Sequence, residues 1–220
     1  MALKADARKQ DLNIIGNGSL GSFTALALIK MARAFGWRLK LFDFDTVEPH
    51  NIRNQLYRDT DIGAPKTEAL ESILKHLGGA DAPLAAVPGR VDRTTPLHGI
   101  VIVTVDKMKE RREAFEAAKY RADVSLFVDA RSGGDGAMVY ALDPRDPDQV
   151  RRYEETLYED EEAIPAPCAD ERTIPTIFAI AAAIARVLAL CANGGLHSFI
   201  EVLLNFEKLP ITSSKEYKED

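Results

Sequence analysis

Leu12-Asn13-Ile14-Ile15-Gly16-Asn17-Gly18-Ser19-Leu20-Gly21 is a short apolar run that breaks into glycines at positions 16, 18 and 21. The run reads as a strand. Beyond it, Phe23, Leu26, Ala27, Ile29 and Met31 recur at helical spacing until Gly36, a C-terminal breaker. Residues 38–43 (Arg-Leu-Lys-Leu-Phe-Asp) alternate as a second strand. The unit is therefore strand, glycine turn, helix, strand. Glycine there permits a tight turn, lets backbone amides approach phosphate oxygens and lets the helix lie close to its strand. The helix N-terminus offers free N–H groups and a partial positive charge to an anion. Asp43, 22 residues after Gly21, stands where a ribose-binding acid is expected. Taken alone, this unit also fits an NAD-dependent oxidoreductase.

The rest of the chain extends the same alternation. Residues 66–77 have helical spacing and 84–87 form a short strand. Residues 100–105 are a continuous β-branched run, as in a strand covered on both faces, and Asp106 closes it. A charged helix is expected over 107–121, strands over 124–130 and 137–142, an apolar helix from about 176 to 191 and a closing strand over 199–206. Residues 146–172 depart in composition, with ten acids against three arginines. They read as a short helix followed by an exposed acidic crossover. The expected fold is α/β: a Rossmann-like mixed, mostly parallel sheet with helices on both faces. One domain is expected over 1–210, with a flexible tail at 211–220.

Composition narrows the function classes. In 220 residues, 46% are hydrophobic and 28% charged, which excludes disordered and fibrous classes. The net charge of −6 gives no global basic field toward nucleic acid or anionic lipid, so no nucleic-acid or membrane partner is expected. Two cysteines are too few for a four-thiolate zinc site. The apolar run 177–191 contains Arg186 and is short for a membrane span. The polar start of the chain lacks a secretory pattern, so a cytoplasmic setting is expected.

The chemistry concentrates after the second strand. Asp43-Phe44-Asp45-Thr46-Val47-Glu48-Pro49-His50-Asn51-Ile52-Arg53-Asn54-Gln55 leads to Asp61-Ile62-Gly63-Ala64-Pro65-Lys66. Polar side chains of both signs crowd the carboxyl end of a strand, where parallel sheets bind ligands. Lys66 opens a helix, where a cation is disfavoured by the helix dipole, so a local anion is expected beside it. Asp106, at the end of the central strand, is placed to hold Mg2+ on a polyphosphate.

The glycine motif, the D-x-D-x-V-x-x-x-N stretch, the D-I-G-x-P-K motif and the strand-end Asp106 together resemble the ThiF/MoeB/HesA family, over roughly residues 10–206. That family shares its adenylation fold with ubiquitin-activating enzymes. The resemblance implies an ATP-dependent adenylyltransferase acting on the C-terminal carboxylate of a ubiquitin-like or sulfur-carrier protein, with ATP and Mg2+ bound, in a homodimer. Gly16, Gly18, Ser19, Leu20 and Gly21 would cradle the phosphates and Asp43 would bind the ribose. Asp45, Asn51 and Gln55 match polar positions beside the phosphates. Lys66 would neutralise the phosphates during attack, and Asp106 would bind Mg2+.

The sequence departs from the family at Asn54, which occupies an arginine's place. Arg53, one step away, is the substitute candidate. The paired CxxC motifs of many members are missing. Cys168, just before the apolar helix, is a candidate thioester-forming residue, with an unreactive loop cysteine as the other reading. Cys191 reads as a core residue. A nucleotide-binding pseudoenzyme or scaffold remains a reading from a different functional class.

Overall fold

The computed structural model describes residues 10–133, 136–159, 171–194, 198–205 and 211–216. Eight strands form one sheet in the order β3-β2-β1-β4-β5-β6-β7-β8. They are β1 (Asp11–Ile15), β2 (Arg38–Asp43), β3 (Leu84–Pro88), β4 (Gly99–Val103), β5 (Val124–Gly133), β6 (Gly136–Leu142), β7 (Ile200–Asn205) and β8 (Ile211–Glu216). The first five in spatial order are mutually parallel, and β6, β7 and β8 continue antiparallel. The helices are α1 (Ser19–Phe35), α2 (Lys66–Gly78), α3 (Met108–Ala118), α4 (Pro147–Glu154) and α5 (Ile174–Ala192).

Alternation along the strands sorts the core into two layers. Leu12, Ile14, Leu39, Leu41, Ile100 and Ile102 face the layer formed by α1, α2 and α5. Val101, Val103, Phe127 and Leu142 face α3 and α4. A central strand apolar on both sides is the consequence, as the β-branched run predicts. Gly36 ends α1 in a left-handed conformation, φ 71°, which a side chain at that position would strain. Trp37 then stacks on Phe35 with centroids 4.4 Å apart.

α5 is long and apolar enough to cross a membrane by length and composition, with mean hydropathy 2.2. One face of it, including Ile177, Ile180, Ile184 and Leu188, is buried in the core layer it shares with α1. Pro175, Phe178, Ala182 and Arg186 lie on its exposed side.

Two expectations change. The strand expected over 100–105 ends at Val103, where its ladder with β1 stops at the pair Ile15–Val103. Asp106 therefore lies three residues beyond the strand, exposed in the loop before α3. The tail expected at 211–220 is an edge strand over Ile211–Glu216, antiparallel to β7. Its Ile-Thr-Ser-Ser-Lys-Glu sequence carries little apolar signal, since an edge strand is held mainly by its backbone ladder.

A buried ionic cluster joins β5 to the start of the acidic segment. Asp129 is fully buried and pairs with both Arg111 and Arg131. The Tyr153 hydroxyl donates to Asp129 at 3.0 Å. Arg111 also donates to the backbone oxygens of Val105 and Ala130, and Arg131 to the backbone oxygen of Thr156. Burial pulls the Arg111 guanidinium down to about 10, which leaves it charged at neutral pH. Several acids of residues 146–159 are engaged within the chain. Asp146 caps α4, Asp148 pairs with Arg151, Glu154 with Lys119 and Glu159 with Arg112.

Candidate functional site

The strand order reverses direction between β1 and β4, and the crevice at such a reversal is where open α/β sheets bind ligands. The glycine turn stands at this point. It is fastened from three sides. The Gly16 N–H donates to the Phe42 oxygen at 2.9 Å, and the Gly16 oxygen accepts from Thr104 Oγ1 at 2.6 Å. The Asn17 N–H donates to Asp43 Oδ2 at 2.6 Å, and its oxygen accepts from the Tyr57 hydroxyl at 2.6 Å. Ser19 Oγ donates to the Asn54 oxygen at 2.6 Å.

The three glycines stand there for different reasons. Gly16 has φ +88°, and a Cβ there would lie 2.8 Å from Val105 Cγ1. A Cβ on Gly21 would lie 1.8 Å from the Gly16 oxygen. Both are required by the protein's own packing. Gly18 has no neighbour within 4 Å of a built Cβ, so the space above it is open to a ligand. It precedes α1, whose first turn holds no acid and receives no side-chain cap. The amides there remain available to an anion. Gly18→Ala is therefore expected to leave the melting temperature within about 2 °C of wild type while weakening nucleotide binding about tenfold. Thermal melts and calorimetric titration with ATP check both halves.

Asp43 connects this turn to the lysine. One carboxylate oxygen accepts from Asn17, and the other accepts the Asp45 N–H at 2.9 Å. Burial raises the Asp43 carboxyl above its ordinary range, and the two amide bonds oppose that rise. Asp45 Oδ2 in turn holds Lys66 Nζ at 2.9 Å, and the Asp45 backbone oxygen accepts the Lys66 N–H at 2.9 Å. Lys66 is the first residue of α2 with a side chain only 9% exposed, so the anion expected beside it is Asp45. The D-I-G-x-P-K motif builds this entry. Arg58 on Asp61 holds that carboxyl below its usual range and closes a 3₁₀ turn over Asp59–Asp61. Thr46 bridges to Pro65 and Val47 bonds Gly63 and Ala64, which clips the two ends of the loop together.

Beside this chain of bonds lies a cavity of about 280 Å3, lined by Phe44, Asp45, Glu48, His50, Asn51 and Lys66, among others. Asn51 Oδ1 accepts the Glu48 N–H at 2.8 Å, and the Glu48 carboxylate accepts the Asn51 N–H. Three of the residues named from sequence, Asp45, Asn51 and Lys66, thus share one cavity. Gln55 is not on its wall, and its Oε1 is buried without a hydrogen-bond partner. Asp106 is not on the wall either. Arg53 points outward: its side chain is 69% exposed and its Nε lies 3.9 Å from Glu171 Oε1. Cys168 lies outside the described residues. Cys191 is partly buried in α5, and burial pushes its thiol up to about 12, which suits a core residue.

Phe44 and Glu48 at the cavity, and Thr104 and Tyr57 behind the glycine turn, escaped the sequence reading. For Phe44, an aromatic between two aspartates at a strand exit was the available signal. The Arg90 guanidinium covers it at 3.7 Å from the ring centroid. Nothing local marks Tyr57 or Thr104, whose partners lie 40 and 88 residues away.

The residues present suit a magnesium nucleotide. The open space at Gly18 and the uncapped α1 N-terminus fit phosphate oxygens. Asp106 offers one exposed carboxylate, and Mg2+ is commonly held by one or two carboxylates together with substrate phosphates. Among the described residues there is no cluster of three metal-ligating side chains.

Comparison with solved structures finds the same fold in E. coli MccB with ATP, with TM-score 0.69 and 15% identity, covering 99% of this chain and 66% of that one. PaaA is similar, with TM-score 0.67 and 16% identity over 97% of this chain and 75% of that one. In sequence, the uncharacterized protein y4oA of Sinorhizobium fredii is 31% identical over 134 residues. That match spans 58% of this chain and only 20% of that protein. The ThiF family profile covers residues 2–217, nearly the whole chain, and the protein therefore belongs to the ThiF family.

Proposed function

We propose that this chain is an ATP-dependent adenylyltransferase that activates the C-terminal carboxylate of a peptide or small protein, a ubiquitin-like or sulfur-carrier protein being the partner class. The carboxylate oxygen attacks the α-phosphorus of ATP, the bond from that phosphorus to the β-phosphate oxygen breaks, and pyrophosphate leaves. The observation that supports this reading is the bonded sequence Asn17–Asp43–Asp45–Lys66, which ties the glycine turn to a shielded lysine side chain. Stabilising charge at a phosphoryl centre is mainly a matter of position and field, which such a rigid chain supplies. Asp106 would hold Mg2+, which when bound spreads the charge of the departing pyrophosphate. MccB has been solved with AMPCPP and MccA together, which supports a nucleotide and a second substrate at one fold of this kind. The chain would work as a homodimer in the cytoplasm. ATP–pyrophosphate exchange with candidate partner proteins tests the reading, and absence of exchange with every partner overturns it.

Onward transfer to Cys168 would form a thioester as AMP leaves. Cys168→Ala is expected to abolish a reductant-sensitive adduct with the partner while pyrophosphate exchange persists. An adduct that survives the substitution removes Cys168 from the scheme. A second reading, a nucleotide-binding scaffold without turnover, draws support from the outward direction of Arg53 toward Glu171. It requires ATP binding without exchange.

A further inference from the structure

The peptide planes of the glycine turn are set one by one by side chains behind it. A trans peptide is planar, so its C=O and the following N–H point in opposite directions. In the Gly16–Asn17 peptide both ends are taken. The oxygen accepts from Thr104 Oγ1 and the N–H donates to Asp43. In the Asn17–Gly18 peptide only the oxygen is taken. It accepts from the Tyr57 hydroxyl at 2.6 Å, and Asn17 and Tyr57 are both buried. The Gly18 N–H, on the opposite side of that plane, has no acceptor among the described residues. Gly18 is partly exposed, with open space where a Cβ would stand. Tyr57 itself belongs to the loop between β2 and α2, and that loop is strapped to the start of α1. The Asn54 oxygen accepts from Ser19 Oγ, and the Leu56 N–H donates to Ser22 Oγ at 3.2 Å.

We propose that Tyr57 is a positioning residue of the phosphate site: its hydroxyl, by holding the Asn17 oxygen inward, turns the Gly18 N–H outward to a phosphate oxygen. This rests on the adenylation reading only for the identity of the ligand. Burial and the carboxylates of Asp43, Asp45 and Asp61 raise the phenol above its ordinary value, so it remains a donor at neutral pH. Among the described residues, Tyr57 is the one donor to the Asn17 oxygen. Without the hydroxyl, the plane is free to turn, because glycine accepts backbone angles on both sides of the map. The turned plane sets a carbonyl oxygen where the amide was, and its dipole repels the anion that the N–H would bind. A hydrogen bond from an amide to a charged acceptor is among the stronger ones, so the loss is measurable.

Tyr57→Phe keeps the ring and removes the hydroxyl, and its melting temperature is expected to stay within about 4 °C of wild type. Calorimetric titration with tripolyphosphate is expected to show binding about tenfold weaker than wild type. A second readout separates positioning from a general loosening of the fold. In amide NMR spectra of wild type, the Gly18 proton is expected to move downfield on saturation with tripolyphosphate, as a bond to a charged acceptor requires. In saturated Tyr57→Phe that displacement is expected to be largely lost. Equal affinity in the two proteins overturns the proposal. So does weaker binding with the Gly18 displacement intact, which would leave the hydroxyl a merely structural role, and so does a wild-type Gly18 signal that tripolyphosphate does not move. If the expected pair of results appears without pyrophosphate exchange toward any partner, Tyr57 stands and adenylation falls. If exchange proceeds while Tyr57→Phe binds like wild type, adenylation stands without Tyr57.

Discussion

Replacing Lys66 by Ala is expected to lower ATP–pyrophosphate exchange by at least about 100-fold, the scale seen when one charge-stabilising donor is removed from a reacting centre. Lys66 lies on the cavity wall, at the end of the bonded path from the glycine turn. Without it, Asp45 and Glu48 face the phosphates together. Folding is expected to survive. The Asp45 side chain is 49% exposed, so water replaces its lost partner, and the pair contributes little to stability. The melting temperature should move by no more than about 3 °C. Lys66→Arg is not expected to restore the rate, because a planar fork does not reproduce a compact point charge. An exchange rate within about threefold of wild type would show that phosphate charge is met elsewhere.

Asp129→Ala is expected to have the largest effect on stability, a loss of about 3–5 kcal/mol. The carboxylate is wholly buried, and its removal strands the Arg111 guanidinium, 4% exposed, without a counter-ion. Arg131 and the Tyr153 hydroxyl lose the same acceptor. For a chain of this length the melting temperature should fall by about 10 °C or more. Tyr153→Phe, which removes one hydrogen bond and keeps the ring against Phe115 and Phe127, is expected to cost only about 1 kcal/mol. Thermal melts of the two variants separate the charge from the ring. If Asp129→Ala melts with wild type, the cluster does not hold α4 and Thr156 to the sheet. Arg111 also holds the Val105 oxygen next to Asp106, so limited proteolysis of the variant should cut first near residues 104–107 and 155–159.

Much of the scaffold was legible because its signals are local. The glycines at 16, 18 and 21 lie between a strand period and a helix period, and β1, α1 and β2 form as read. The helix opening at Lys66 followed from its apolar spacing and the expectation of a local anion from the dipole argument, and in the structure Asp45 stands beside Lys66. Other features left weaker marks. A lone acid inside the apolar run Val124-Ser125-Leu126-Phe127-Val128-Asp129 signals a buried partner without naming Arg111 or Tyr153. The polar edge strand β8 carries no core-facing pattern, so its sequence resembles a tail.

The direction of each polar side chain between residues 43 and 66 is another matter. His50 and Arg53 sit on the same 3₁₀ turn, yet one lines the cavity and the other reaches toward Glu171. Gly18 and Gly21 belong to one motif, yet only Gly21 is compelled by neighbouring backbone. The sequence alone determined that a glycine turn would meet a lysine-led helix at the carboxyl ends of parallel strands, because periodicity and glycine spacing act within a few residues. Only the tertiary structure decided which charges face one another there. That outcome depends on contacts such as Tyr57 with Asn17 and Ser19 with Asn54, which join positions dozens of residues apart and leave no periodic trace.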